Sequence, residues 1–216
     1  MATVTTRRGK AEADRPAGRD AAVSLLVPPD AGLRVDAEGF ERLCAANRDL
    51  RLELKADGTL VVMSPASSDS GRRNALLTTR LTIWNEAARL GYSFDSSSGF
   101  TFPDGSVMAP DASWILAERW RGLSPEDGRG FARIVPDFVV ELRSPSDTIA
   151  ESREKMRVYL ANGVRLGWLI DPMTRTVEIH RPGREVETLT RPGAIPGEDV
   201  LPGFTLDLSG ILTDDA

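Results

Sequence analysis

Residues 135 to 160, "VPDFVVELRSPSDTIAESREKMRVYL", place Asp137, Glu141 and Arg143 on alternate positions of an apolar run and Lys155 on the segment that follows. Read as a strand over 137–143, the run turns Phe138, Val140 and Leu142 to one face and Asp137, Val139, Glu141 and Arg143 to the other. Such alternation arises in a strand with one wet face, and equally in a strand whose end delivers charge into a cleft. The stretch "APDASWIL", starting at 109, repeats the pattern, with Asp111, Ser113 and Ile115 sharing a face directly after Pro110. If the two strands are neighbours, Asp111 and Glu141 converge. Two carboxylates held close repel, and a cation or a shared proton relieves them. Side chains on a helix lean toward its N-terminus, so Lys155 reaches back toward the strand end that carries Glu141.

Paired carboxylates beside an ammonium make a site of hard oxygen donors. Magnesium fits it best, because that ion keeps several waters and is held by one or two carboxylates together with substrate phosphate; manganese is the alternative. Each residue also has an architectural reading. Asp111 can cap a turn after its proline, Glu141 and Arg143 can form an ion pair on one face, and Lys155 can pair with Glu151 four residues earlier on a solvated helix. Glu53, in "LELKADG", can be one of three alternating charges with Arg51 and Lys55. Asp137 reads as a neighbour on the Glu141 face, while Asp69 and Asn74 are candidates to line the cleft, without an assigned role.

Composition narrows the chemistry. The 216 residues, 41% hydrophobic and 27% charged, suit one domain over 21–216 behind a leader at 1–20 that mixes charge, alanine, glycine and proline without a period. A single histidine, His180, rules out a multi-histidine zinc site and leaves a serine–histidine triad without a supporting motif. A single cysteine, Cys44, rules out an internal disulfide. The net charge of −5 argues against a general nucleic-acid binder with a basic face, and is compatible with an acidic site neutralised by a divalent ion. The apolar run at 21–29 is too short to span a bilayer, so no membrane association and a cytoplasmic location are expected.

The elements that must position these residues follow from period and punctuation. Asp36 caps a short helix to about 47, and "RLELKADGTLVVMSP" forms a hairpin about Asp57-Gly58. Its Leu52 and Leu54 point one way, and Arg51, Glu53 and Lys55 the other. Leu77, Leu81, Trp84 and Ala88 mark the longest helix, from 67 to about 90, which Gly91 stops. Strands near 92–96, 99–102 and 111–115 read as a meander. After the 137–143 strand, Thr148 and Glu151 form a capping box for a helix to about Asn162, closed by Gly163. A strand, a turn at Asp171-Pro172 and a return strand come next, then an edge strand, a loop and a short tail to 212. The class is α/β with α+β mixing: a central mixed sheet flanked by helices.

The segments "APDASWI", "PDFVVELRSPSD", "REKMRVYLANGVRLGWLIDP" and "VEIHRPG" resemble the Uma-type branch of the PD-(D/E)XK nuclease superfamily over roughly residues 35 to 212. The resemblance implies a restriction-endonuclease-like core, magnesium-dependent hydrolysis of phosphodiester bonds, DNA as substrate, and a homodimer. By position, Asp111 matches the first motif aspartate and Glu141 the second acid, both as metal ligands, and Glu53 an acidic position of the first hairpin. The superfamily pattern expects lysine two residues after the glutamate. Here stands Arg143, which always carries its charge and cannot act as a base. Branches of the group supply the lysine from the following helix, where Lys155 lies, and Arg143 is then an auxiliary phosphate contact. On this reading Lys155→Ala removes activity and leaves the fold intact. The departure at 143 keeps a second function open, a catalytically silent protein of the same fold that binds nucleic acid or protein.

Overall fold

The computed structural model describes residues 34–63 and 65–213. The leader expected at 1–20 and the apolar run at 21–29 lie outside the described residues. The chain opens with α1 (Ala37–Ala46), the hairpin β1 (Arg51–Leu54) and β2 (Leu60–Met63), and the long helix α2 (Ser68–Ala88). Then come β3 (Gly91–Asp95), β4 (Phe100–Thr101), β5 (Val107–Met108), β6 (Ala112–Leu116), α3 (Ala117–Arg121), β7 (Phe138–Leu142) and α4 (Ile149–Ala161). The last elements are β8 (Leu166–Asp171), β9 (Thr176–His180), β10 (Glu187–Thr190), β11 (Ala194–Pro196) and β12 (Thr205–Asp207). The expected helix starts hold: Asp36 accepts from the Gly39 amide at 2.7 Å, and Thr148 with Glu151 closes a reciprocal capping box on α4.

A six-stranded mixed sheet runs β10-β9-β8-β7-β6-β3. Its one parallel pair, β7 with β8, is joined by α4, because parallel neighbours need a crossover. The centre of the sheet is β7, and neither of its faces is wet. On one side Phe138, Val140 and Leu142 pack with Trp114, Trp168 and Leu77 and Leu81 of α2. On the other, Val139 packs with Ile115, Leu169 and Met156 and Tyr159 of α4. The alternation in the sequence therefore marks a charged residue carried into a covered face.

Three sequence expectations change. The run from 92 to 116 is not a meander: β3 pairs directly with β6, while β4 and β5 fold out into a second sheet of order β2-β1-β5-β4. Gly105, at φ +86°, permits the tight β4–β5 turn, and Val107 then pairs with Leu54 of β1. Alternation identifies strands but carries no information about which strand is the partner. The end of α2 is also different, since Arg89 is the left-handed cap at φ +54° and Gly91 opens β3. A Cβ at Gly91 would lie 2.3 Å from the Ile115 carbonyl oxygen and 2.4 Å from the Trp114 ring, so close strand approach is what requires glycine there.

The segment after β10 is no tail. Ile195, Leu201, Phe204, Leu206, Leu208, Ile211 and Leu212 are all buried against the face shared with α2. At roughly 1.5–3 kcal/mol for each fully buried large apolar side chain, this segment is part of the core. Polar contacts fasten it as well: Arg72 donates to the Gly210 carbonyl at 3.1 Å, and Arg80 to those of Asp207 at 2.6 Å and Ser209 at 2.8 Å. No helix among the described residues is long and apolar enough to cross a membrane.

Gly91→Ala is expected to destabilise the fold by about 3 kcal/mol, because the clash is with backbone and a buried ring. Gly71→Ala, at a helical position with open space around its Cβ, should stabilise it by about 0.5–1 kcal/mol. Urea unfolding of the two variants checks this; similar midpoints for both would show that strand approach at Gly91 is not tight.

Candidate active site

The β6–β7 register pairs Ala112 with Val140 and Trp114 with Phe138, and one more step sets Asp111 opposite Glu141. Both acids thus come from adjacent strands at one end of the sheet. Asp111 is fixed at both oxygens: Oδ2 accepts the Leu142 amide at 2.8 Å and Oδ1 accepts Asn74 Nδ2 of α2 at 3.0 Å. Glu141 projects to the α4 face. There the Lys155 ammonium lies 3.1 Å from its Oε1, and Tyr159 Oη donates to the same oxygen at 2.7 Å. Lys155 and Tyr159 are four residues apart and so share one side of the helix.

The second sheet supplies the third carboxylate. Glu53 of β1 accepts the Ala109 amide at 2.9 Å, and its Oε1 lies 2.9 Å from the Lys155 ammonium. Lys155 therefore bridges Glu53 and Glu141, ion-pairing the two sheets through α4. Its side chain is only 19% exposed, and those of Glu53 and Glu141 are 9% and 12% exposed. The hairpin faces expected from sequence are both covered here, since Leu54 and Glu53 are buried on opposite sides of β1.

Three acids face one ammonium, and the protonation equilibria register the imbalance. Burial pushes the Glu141 carboxyl up to about 7; Lys155 opposes this, and the charges of Asp111 and Glu53 add to it. Burial also raises Asp111, against the hydrogen bond from Leu142 and the charge of Lys155. Burial alone would lower Lys155, but Glu141, Glu53 and Asp111 outweigh it and hold the amine above the ordinary lysine value. Lys155 consequently stays charged, and it acts as a hydrogen-bond donor and counter-charge rather than as a base.

Other candidates sit elsewhere. Arg143 donates to Asp171 at 2.8 Å and to the Asp147 carbonyl at 3.1 Å, tying the exit of β7 to the end of β8. Neither architectural pairing read from sequence forms: Glu141 pairs with Lys155 rather than Arg143, and Glu151 serves the α4 cap rather than Lys155. Asp137 lies just before the opposite end of β7, buried beneath Arg119 at 2.8 Å and accepting the Leu116 amide at 2.9 Å. Asp69 pairs with Arg72 and Arg73 at the start of α2. His180 is buried beside Glu178, which Arg153 of α4 also contacts. Tyr159 was not singled out from sequence; its spacing from Lys155 was the available signal.

The sequence profile of the Uma2 family, described as "Putative restriction endonuclease", matches residues 37–209. The chain belongs to the Uma2 family. Among solved structures, the Uma2 chain is similar to one described as a "putative nuclease belonging to DUF820" from Anabaena variabilis, with a TM-score of 0.64 and 20% identity over 74% of this chain and 89% of that one. That similarity shows the fold, a central mixed sheet flanked by helices. No curated protein matches the sequence.

In this Uma2 chain the burial of Lys155 revises the expectation that it can be removed with the fold intact. Lys155→Met leaves Glu53 and Glu141 without their shared cation, and is expected to cost roughly 3–5 kcal/mol at pH 7, read by urea unfolding. A stability equal to wild type would show that the ammonium is dispensable to the fold.

Glu141 has the opposite sign. Its folded carboxyl binds a proton more tightly than the ordinary carboxyl at 4.5, so stability falls as pH rises from about 4.5 to about 7. The difference amounts to roughly 3 kcal/mol. Glu141→Gln keeps the shape without the ionisation. Its melting temperature should match wild type near pH 4.5 and exceed it by several degrees at pH 8; a gap independent of pH would remove burial as the cause.

Proposed function

We propose that the protein is a metal-dependent nuclease that hydrolyses phosphodiester bonds in DNA. The observation that carries this reading is the opposition of Asp111 and Glu141 across β6 and β7, with Lys155 held charged beside Glu141. The donor set fits a hard divalent ion: the candidate ligands are carboxylate oxygens, and three acids outnumber the one ammonium. Among the described residues no group of three or more histidine, cysteine, aspartate or glutamate side chains is arranged to hold an ion. Asp111 and Glu141, opposed by the β6–β7 register, are the two residues that would hold magnesium or manganese, with water and substrate phosphate completing the shell. Such an ion, when bound, supplies Lewis acidity and a more acidic water.

The chain's own groups have separable tasks. The Leu142 amide and Asn74 fix the direction of Asp111 through both oxygens. Tyr159 anchors Oε1 of Glu141. Lys155 presents fixed positive charge where negative charge develops on phosphorus-bound oxygens, a form of stabilisation that needs no reorganisation during reaction. Arg143, paired with Asp171, ties the β7 exit to β8 and leaves the charge-stabilising role to Lys155.

The purified protein should cut DNA only with magnesium or manganese present. Asp111→Asn and Glu141→Gln should each reduce cleavage by more than about 100-fold and weaken calorimetric metal binding, with circular dichroism unchanged. If wild type neither binds these ions nor cuts single- or double-stranded DNA, the nuclease reading gives way to a binding module of the same fold.

A further inference from the structure

Between α2 and β1, and reaching Asn74, the hydrogen-bond partner of Asp111, lies a cleft of about 340 Å³ lined by Arg51, Gly71, Asn74, Ala75, Thr78 and Ser96 among others. That size lies at the lower end of the range for small-ligand sites, about 300–1,000 Å³. Gly71, Asn74, Ala75 and Thr78 fall at helical spacing on one side of α2, and no atom lies within 4 Å of where a Gly71 Cβ would stand. The opposite wall is Arg51, two residues before Glu53 on β1 and therefore on the same strand face. Arg51 Nη2 donates to the Ser96 carbonyl at 2.7 Å. A guanidinium has five N–H donors, so this contact leaves others for a ligand. Its charge also reaches Asp111, lowering that carboxyl against the effect of burial.

Asn74 joins the cleft to the acids. Its Nδ2 donates to Asp111 at 3.0 Å, and its buried Oδ1 has no hydrogen-bond partner among the described residues. An unsatisfied buried acceptor costs about 1–3 kcal/mol, which a donor from a ligand would recover. The terminal torsion of asparagine is soft, so a modest turn of the amide presents Oδ1 to the cleft. The arginines of α2 are engaged elsewhere: Arg72, Arg73 and Arg80 each hold carbonyls of the C-terminal segment. Among the described residues Arg51 is the one basic residue lining the cleft, and Asp95 lines it too. One guanidinium, one acceptor and a one-nucleotide volume do not make a duplex track.

We propose that this cleft seats a single unpaired nucleotide next to the scissile phosphate, with Arg51 on a phosphate oxygen and Asn74 Oδ1 accepting an N–H from the base edge. Every base has such a donor when unpaired, and base pairing occupies that edge in a duplex, so the substrate class is single-stranded or locally unpaired nucleic acid. The inference rests on the nuclease reading for its scissile phosphate, but its test does not use cleavage.

The test measures binding of a fluorescent 12-mer oligodeoxynucleotide to the full chain in EDTA by anisotropy, as single strand and as duplex, between 50 and 200 mM salt. The single strand should bind at least 10-fold more tightly than the duplex. Arg51→Gln should weaken single-strand binding and reduce the slope of log K against log salt by about 0.7, the share of one phosphate contact. Ala75→Phe, at an exposed helix position, should fill the cleft and weaken binding about 10-fold with an unchanged melting temperature. Equal affinity for the two oligonucleotides, or unchanged affinity in either variant, would overturn the proposal. Strand binding that behaves as described in a protein that never cuts with metal would overturn the nuclease reading instead.

Discussion

The ammonium of Lys155, held between Glu53 and Glu141, is the contact on which the rest of the arrangement depends. It ion-pairs two sheets that are separate in hydrogen bonding, one carrying Glu53 and the other Glu141, from α4, the crossover helix that follows β7. Buried charges are tolerated only when paired and hydrogen-bonded. Each partner here has additional support: the Ala109 amide on Glu53, and Tyr159 on Glu141. The geometry is therefore enforced from several elements at once.

That enforcement explains the layout of the fold. A strand that carries a charge into a covered face must end where the helix covering it can supply the counter-charge, and the β7–α4–β8 crossover does this within one stretch of chain. The capping box at Thr148 sets where α4 begins, and so sets which turn of the helix faces Glu141. The C-terminal segment closes the opposite face of the sheet, and with α2 it leaves Asn74 in reach of Asp111.

The cluster is deliberately unbalanced in charge. With Asp111 and Glu141 both pushed upward by burial while Lys155 remains protonated, the site prefers an added positive charge or a retained proton over full ionisation. Stability opposes the ionised form of Glu141, a pattern common to sites that hold charge ready for a ligand.

Much of this was legible in the sequence. Periodicity and caps identified α1, α2, α4, the first hairpin and the β7 and β8 strands, because those signals are local: a side chain bonding its own helix start, or a face repeating every two residues. The reach of Lys155 toward Glu141 also followed from helix lean, and the shared face of Asp111 and Glu141 from strand alternation once β6 and β7 are paired, a pairing that the tertiary structure supplies. What only the tertiary structure decided depends on partners distant in sequence. The pairing of β3 with β6 rather than β4, the core role of residues 194–212, the pairing of Arg143 with Asp171, and the meeting of Glu53 with Lys155 across about a hundred residues are of this kind. A charge on a strand face looks the same in sequence whether water or a buried lysine lies opposite, because desolvation and pairing are properties of what surrounds the residue rather than of the residue itself.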